Sequence, residues 1–469
     1  MKVELRISNE NFEEITTTMT DILSVNEYYK NAKNETIEFA SYSIAFLFLM
    51  RIYSLKKELQ GTKLSYSITD FLQEKTIKPE GDFYQLYEPL FIAESFYPEI
   101  EAGDKDTLKE AIVVMYLGIA EYLLITYRYL ECLEYIRDIL KFDSKNQTAL
   151  FFRGLCSEML LQFNYNLQQK TITLLCDIFQ SINPNDVHFD KNIVNAKLAH
   201  YKKIDISCLK EAGLVFTKAT KKILAEIPFW NDEKTYYLTN VLLLNPLIEV
   251  DCFVECINES ILPTGVSQEI SDLFNGIVSD FNFFRQKLYY YDILPDKNKR
   301  ELIAAFSFIF SIFDKIAYLL YKYFNLDMNE GKVYLHSIFD VKLRDDSSIK
   351  LIEIKNQYLF SLYHIGREYS KSDLYCNPSN AISKNIKKER NTLLHRSTNL
   401  VDDESIYVLT SYLAKVIKRS IIYTNLILYM EELRKQLNLS YTDLIFYDNF
   451  YSNLINSPQM LKTNKIINI

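Results

Sequence analysis

The chain has 469 residues, 48% of them apolar and 24% charged, with a net charge of −8. That length and apolar content suffice for two or three domains with real cores, which excludes a disordered chain. The acidic balance excludes a general nucleic-acid coat, so any RNA contact has to be local. Only ten Gly and ten Pro occur, which predicts long helices joined by short links and therefore an all-α fold. Seven cysteines, Cys132, Cys156, Cys176, Cys208, Cys252, Cys256 and Cys376, are scattered and odd in number. With no signal peptide ahead of them, they point to a reduced, cytoplasmic compartment. Cys252 and Cys256 are one helical turn apart, but no further ligand lies nearby at metal spacing, so they read as buried thiols. The expectation is a protein without a metal or other cofactor.

In chain order, residues 1–105 read as an N-terminal helical region, with helices around Glu10–Val25, Thr36–Leu59 and Tyr66–Lys75 and a loop at Pro79-Glu80-Gly81-Asp82. The most apolar windows, Phe39–Met50 and Ala304–Phe324, are too short or are broken by Asp314 and Lys315. No membrane span is expected, because one needs about 20 uninterrupted apolar residues. Residues 106–235 form a second region. Tyr116, Ile119, Ala120 and Leu123 mark one helix, and Cys132, Ile136 and Ile139 the next, before Asp143-Ser144. Leu150 and Gly154 begin a second copy in register with Tyr116 and Ala120. This spacing of small and large residues resembles tetratricopeptide repeats, and the alternative is an ordinary antiparallel helix pair. The repeat reading implies a protein or peptide partner on a concave helical face. Further helices are predicted over Tyr165–Ser181, Lys191–Lys202 and Ile206–Ile227, followed by a connector at 236–266 containing Asn245-Pro246 and Leu262-Pro263.

Residues 267–469 read as a helical bundle, with helices at Ser267–Tyr291, Lys297–Phe324, Ser348–Ser370, Ser379–Ser397 and Glu404–Leu437. The second carries Phe306, Phe308, Ile309, Phe310, Ile312, Phe313, Ile316, Ala317, Leu319 and Leu320, apolar almost all round, and is expected to be the buried central helix. Asp314 within it then needs a partner. It is read as an ion-pair member, the alternative being a residue that supports the site.

The fourth helix is different. Asn377-Pro378 is a helix start, and Lys384, Lys387, Lys388, Arg390 and Arg396 stand against Glu389 alone, a cationic segment in an acidic chain. Arg390, Asn391 and His395 have the spacing of the RNxxxH signature, and the segment resembles HEPN domains, helical bundles many of which are metal-independent ribonucleases. Ser311–Tyr318 and Asn356–Tyr363 look like the corresponding helices of a HEPN subfamily in which repeat-like helices come first. Tyr236–Leu262 looks like its connector. His364 stands where relatives are expected to have Trp, and Leu394 where many have an acidic residue.

Cleaving RNA without a metal requires a base, an acid and cations for the phosphate. His395 suits proton transfer, because its ordinary pKa of about 6.5 allows both protonation states near neutrality. Arg390 can clamp two phosphate oxygens, and Asn391 can orient either group. Lys387, Lys388 and Arg396 would draw in the RNA backbone. At about 100° per residue, Arg390 and His395 are roughly 140° apart around a helix. Two motif helices paired across a twofold axis would bring two such sets into one cleft, the arrangement the resemblance implies. The expected partners are therefore an RNA substrate and a second copy meeting through the C-terminal bundle. The apolar cover of that dimer is expected along Tyr407, Leu409, Tyr412, Leu413 and Val416. By resemblance the role is that of a toxin or abortive-infection effector. The alternative is a non-catalytic helical scaffold or antitoxin-type binding module. His188, His200, His336 and His364 lack an Arg–Asn context and read as structural.

Overall fold

A computed structural model describes residues 127–161, 168–189, 191–202, 265–293, 299–368 and 403–442, with further positions between 109 and 124, 233 and 245, and at 262–263. The helices predicted before residue 106 and at Ile206–Ile227 lie outside the described residues. The described elements are helical, and no strand forms among them beyond two isolated antiparallel bridges, Leu326 with Leu343 and Lys342 with Lys350. The fold is all-α.

Among the described residues of the first half, helical positions between 109 and 124 come first, followed by α1 (Tyr129–Phe142), α2 (Gln147–Leu161), α3 (Gln168–Gln180) and α4 (Lys191–Lys202). The α1–α2 turn is set by short polar side chains. Asn146 accepts the Ala149 amide at 3.0 Å and so caps α2, while Asp143 accepts the Lys145 amide at 3.2 Å. Gly154 lets α3 come close, for a Cβ there would sit 2.6 Å from the tip of the Phe179 ring. That ring stacks on Tyr201 of α4 at 4.5 Å. Glu158 of α2 accepts from the Tyr201 hydroxyl at 2.9 Å and from Lys197 at 3.0 Å, tying α4 back to α2.

Among the described residues, the second half contains α5 (Gln268–Ile293), α6 (Lys299–Tyr323), α7 (Gln357–Glu368) and α8 (Asp403–Gln436). Between α6 and α7 a compact irregular cap folds on itself through backbone bonds such as Leu343 to Ile349 and Leu351 to Val341. This cap corrects the predicted helix Ser348–Ser370. Residues 348–356 are turns and a single 3-10 turn at Leu351–Glu353, and α7 starts only at Gln357. Asn356 is the cause, because its side chain accepts the Tyr358 amide at 3.1 Å and caps the helix.

The central helix is α8, not α6. α6 packs against α5 and α8, but Glu301, Ala304, Asp314 and Lys315 form an exposed stripe along it. Asp314 is therefore exposed and not a buried charge, and its neighbour Lys315 pairs with Asp280 of α5. Glu301–Tyr323 is long and apolar enough by composition to cross a membrane, yet its apolar face is taken up by this packing. α8 has α5, α6 and α7 around it. Along it Leu409, Leu413 and Val416 are already buried within the chain, and Tyr407 and Tyr412 are half-buried. The apolar cover expected to seal a dimer is thus spent inside one protomer.

The remaining side of α8, with α7, is covered by the first half. Glu131 of α1 accepts from the Tyr423 hydroxyl at 2.7 Å and also from Arg128 at 3.3 Å. Glu134 pairs with Lys415 at 2.8 Å and with Arg419. Tyr358 donates its hydroxyl to the Met159 carbonyl at 2.6 Å, and Ser361 donates to the Tyr127 carbonyl at 2.6 Å. The two halves therefore share one polar seam.

Among the described residues, three helix ends turn through a non-glycine residue of positive φ: Tyr127 (60°), Asn325 (48°) and Asn438 (54°). Each shows the paired closing bonds of a Schellman motif, such as Arg128 to Leu123 and Tyr127 to Leu124. Asn tolerates this conformation well. An aromatic residue does so only at a cost of about 1–3 kcal/mol, and holds it because surrounding structure fixes it. Around Tyr127 that structure is Tyr129, Phe360 and the Ser361 hydroxyl.

Candidate active site

Arg390, Asn391, His395, Lys387, Lys388 and Arg396 all lie outside the described residues, as do Cys252 and Cys256. The structure does place the helices on either side of them. Asn356, at the start of α7, donates to Glu431 near the end of α8 at 2.9 Å, so the two helices run antiparallel. The 12-residue α7 runs only about 18 Å along the 34-residue α8 and ends beside its middle, while the start of α8 lies further on, at one end of the bundle. α5 ends at that place too, where Tyr291 stacks on Tyr407 of α8 at 5.7 Å. At the opposite end α6 finishes beside α8, with the Tyr323 hydroxyl donating to Glu432 at 2.8 Å.

A partly buried polar cluster sits at the start of α8. Tyr236 of the connector, Tyr407 of α8 and Asp292 of α5 meet there. Burial first, then the Tyr407 phenol and the Asp292 charge, pushes Tyr236 above its ordinary range, and burial followed by the Asp292 charge does the same for Tyr407, so both remain protonated donors at neutral pH. Just beyond, Arg285 lies 4.4 Å over the Tyr237 ring and donates to the Leu242 carbonyl at 3.1 Å. The connector is thereby clamped to α5. Sequence reading missed this cluster. Its one visible trace is the run Tyr289-Tyr290-Tyr291-Asp292 at the end of α5, which helical periodicity alone assigns to core.

The described histidines stand apart from one another. His364 is buried on α7 with its edge toward Tyr363, His336 stacks on Tyr334, and His200 meets the edge of Tyr201. The backbone of His188 donates to Thr148. Among the described residues no group of three or more His, Cys, Asp or Glu side chains could hold a metal ion. Cys132, Cys156 and Cys176 are buried free thiols, and burial raises the pKa of Cys132 and pushes that of Cys176 up to about 12.

Residues 270–441 match the family model described as LA2681-like HEPN. The match begins within the first turn of α5 and ends just after α8, so it spans the whole second-half bundle, the cap and the segment 369–402. No curated protein and no solved structure matches the chain.

Proposed function

We propose that the protein, whose residues 270–441 match a HEPN family model, is a metal-independent endoribonuclease whose chemistry is carried by Arg390, Asn391 and His395. The observation that supports this most directly is that the RNxxxH set falls inside the matched segment, between α7 and α8. In this reading His395 moves the proton of the attacking 2′-hydroxyl, Arg390 holds the phosphate oxygens as charge grows on them, and Asn391 orients the phosphate or the imidazole. Lys387, Lys388 and Arg396 steer the RNA backbone into place. A second copy supplies the complementary His and Arg across a twofold axis. The helices before residue 236 act as a repeat-like module for a protein or peptide partner. The setting is a cytoplasmic toxin or an abortive-infection effector.

The test is incubation of the purified chain with single-stranded RNA in EDTA. Cleavage that persists under chelation and is lost in both Arg390→Ala and His395→Ala supports the reading. Intact RNA under all conditions overturns it in favour of a non-catalytic scaffold or antitoxin-type binding module.

A further inference from the structure

We propose that the contact of the α1–α2 hairpin with α7 and α8 is a releasable latch, through which the first half of the chain controls the two helices that hold the segment 369–402. Its functional side rests on the ribonuclease reading, whereas its structural side stands alone.

Three observations carry it. The seam is held by directed polar bonds: Ser361 to the Tyr127 carbonyl, Tyr358 to the Met159 carbonyl, Tyr423 with Glu131 and the Leu130 amide, and Lys415 and Arg419 with Glu134. Contacts of this composition resemble those between partners that separate, since each polar group can return to water when the surfaces part. The hairpin also enters the seam through strained backbone. Tyr127 is held in the left-handed region that the other two such helix ends, Asn325 and Asn438, give to asparagine. Its carbonyl is the acceptor of the Ser361 bond. Strain kept at one contact, and offset only while that contact exists, is the property of an element with two positions. Finally, the bonds land on the α7–α8 pair, while α5 and α6 pack chiefly on each other and on α8. Release therefore loosens the helices that flank 369–402 and leaves the α5–α6 hairpin intact. In the docked state the hairpin braces α7 against α8, and a partner bound to the repeat-like half acts by favouring or opposing that docking.

Hydrogen exchange of the full-length chain tests the latch with Ser361→Ala and, as a milder change at a half-exposed position, Glu134→Gln. Lys141→Ala, in a surface pair on α1, serves as control. The expected result is that amides of α1 and α7 speed up together, by about fivefold or more, while α5 and α6 keep wild-type rates. Acceleration across all helices, acceleration confined to the mutated helix, or none at all, would each overturn the latch. In RNA cleavage the same variants should lower kcat and leave KM in place, and an unchanged kcat would remove the control role. Should the wild type cleave no RNA, the exchange result still decides whether the latch exists.

Discussion

The hydroxyl of Tyr423 donates to the carboxylate of Glu131 at 2.7 Å and accepts the backbone amide of Leu130 at 3.0 Å, nearly 300 residues earlier in the chain. Both partners are buried, so each would be left short of a bond if the oxygen were removed. Tyr423→Phe keeps the ring and its packing on Tyr358 and deletes only that oxygen. A loss of about 1–3 kcal/mol is expected from the stranded carboxylate and amide. Urea unfolding measures it, and a variant as stable as the wild type would show that water or Arg128 satisfies Glu131 without Tyr423.

Gly154 is a packing requirement with a single neighbour. An alanine Cβ would press into Phe179, which cannot swing away because Phe151 meets its edge at 5.9 Å and Tyr201 stacks on it at 4.5 Å. Gly154→Ala gains helix propensity but overpacks a closed core, and a net loss of about 1–3 kcal/mol is expected. If thermal unfolding instead shows a rise in Tm, the α2–α3 contact is looser than these distances imply.

Glu134 makes part of the seam dependent on pH. Burial alone would push its carboxyl up, but the charges of Arg419 and Lys415, with hydrogen bonds from both, outweigh burial and hold it well below the usual value of 4.5. A depressed folded pKa contributes stability that is fully present above the unfolded value and is lost as pH falls through the folded one. The stability difference between wild type and Glu134→Gln should therefore be constant from pH 7 to about 5 and shrink below 4.5. Glu431 works in the opposite sense. Its burial raises the carboxyl against the pull of Arg434 and Asn356, so its contribution falls away as pH rises through its folded value. A Glu134→Gln difference that grows on acidification would contradict the assigned sign.

Much of the helical framework was legible because it is written locally. Lys191–Lys202 has the bounds that periodicity gives it, and α5, α6 and α8 agree with their expected ends within about two residues. What was not legible depends on distant partners. α8 carries Thr410, Lys418, Arg419, Asn425, Glu431 and Arg434, all buried, and looks by composition like a surface helix. Some of the groups that satisfy such residues are over 200 positions away on α1, as with Glu134 and Arg419. Conversely, α6 looks buried all round because Ala304 and Phe308 on its open stripe are apolar. The cluster of Tyr236, Asp292 and Tyr407 joins three remote stretches, none of which carries a motif. The Arg–Asn–His set was legible as spacing alone, and its site residues fall outside the described ones.

The dimeric site makes a prediction that separates it from a site contained in one chain. If each active cleft takes its His from one protomer and its Arg from the other, Arg390→Ala and His395→Ala are each inactive alone, since every cleft in either homodimer lacks one component. After subunit exchange, about half of the dimers are mixed. A mixed dimer holds one intact pair, His395 from the first variant and Arg390 from the second, and should recover a measurable fraction of RNA cleavage. Because Leu409, Leu413 and Val416 are already buried within the protomer, the exchange has no need to open α8. It should proceed under native conditions, faster at low salt, where Lys387, Lys388 and Arg396 of the two copies repel most strongly. The measurement is cleavage of a labelled RNA before and after mixing, with sedimentation confirming that mixed dimers form. Mixed dimers that form and remain inactive would place Arg390 and His395 in one chain's site, and a chain that stays monomeric while cleaving RNA would remove the twofold arrangement altogether.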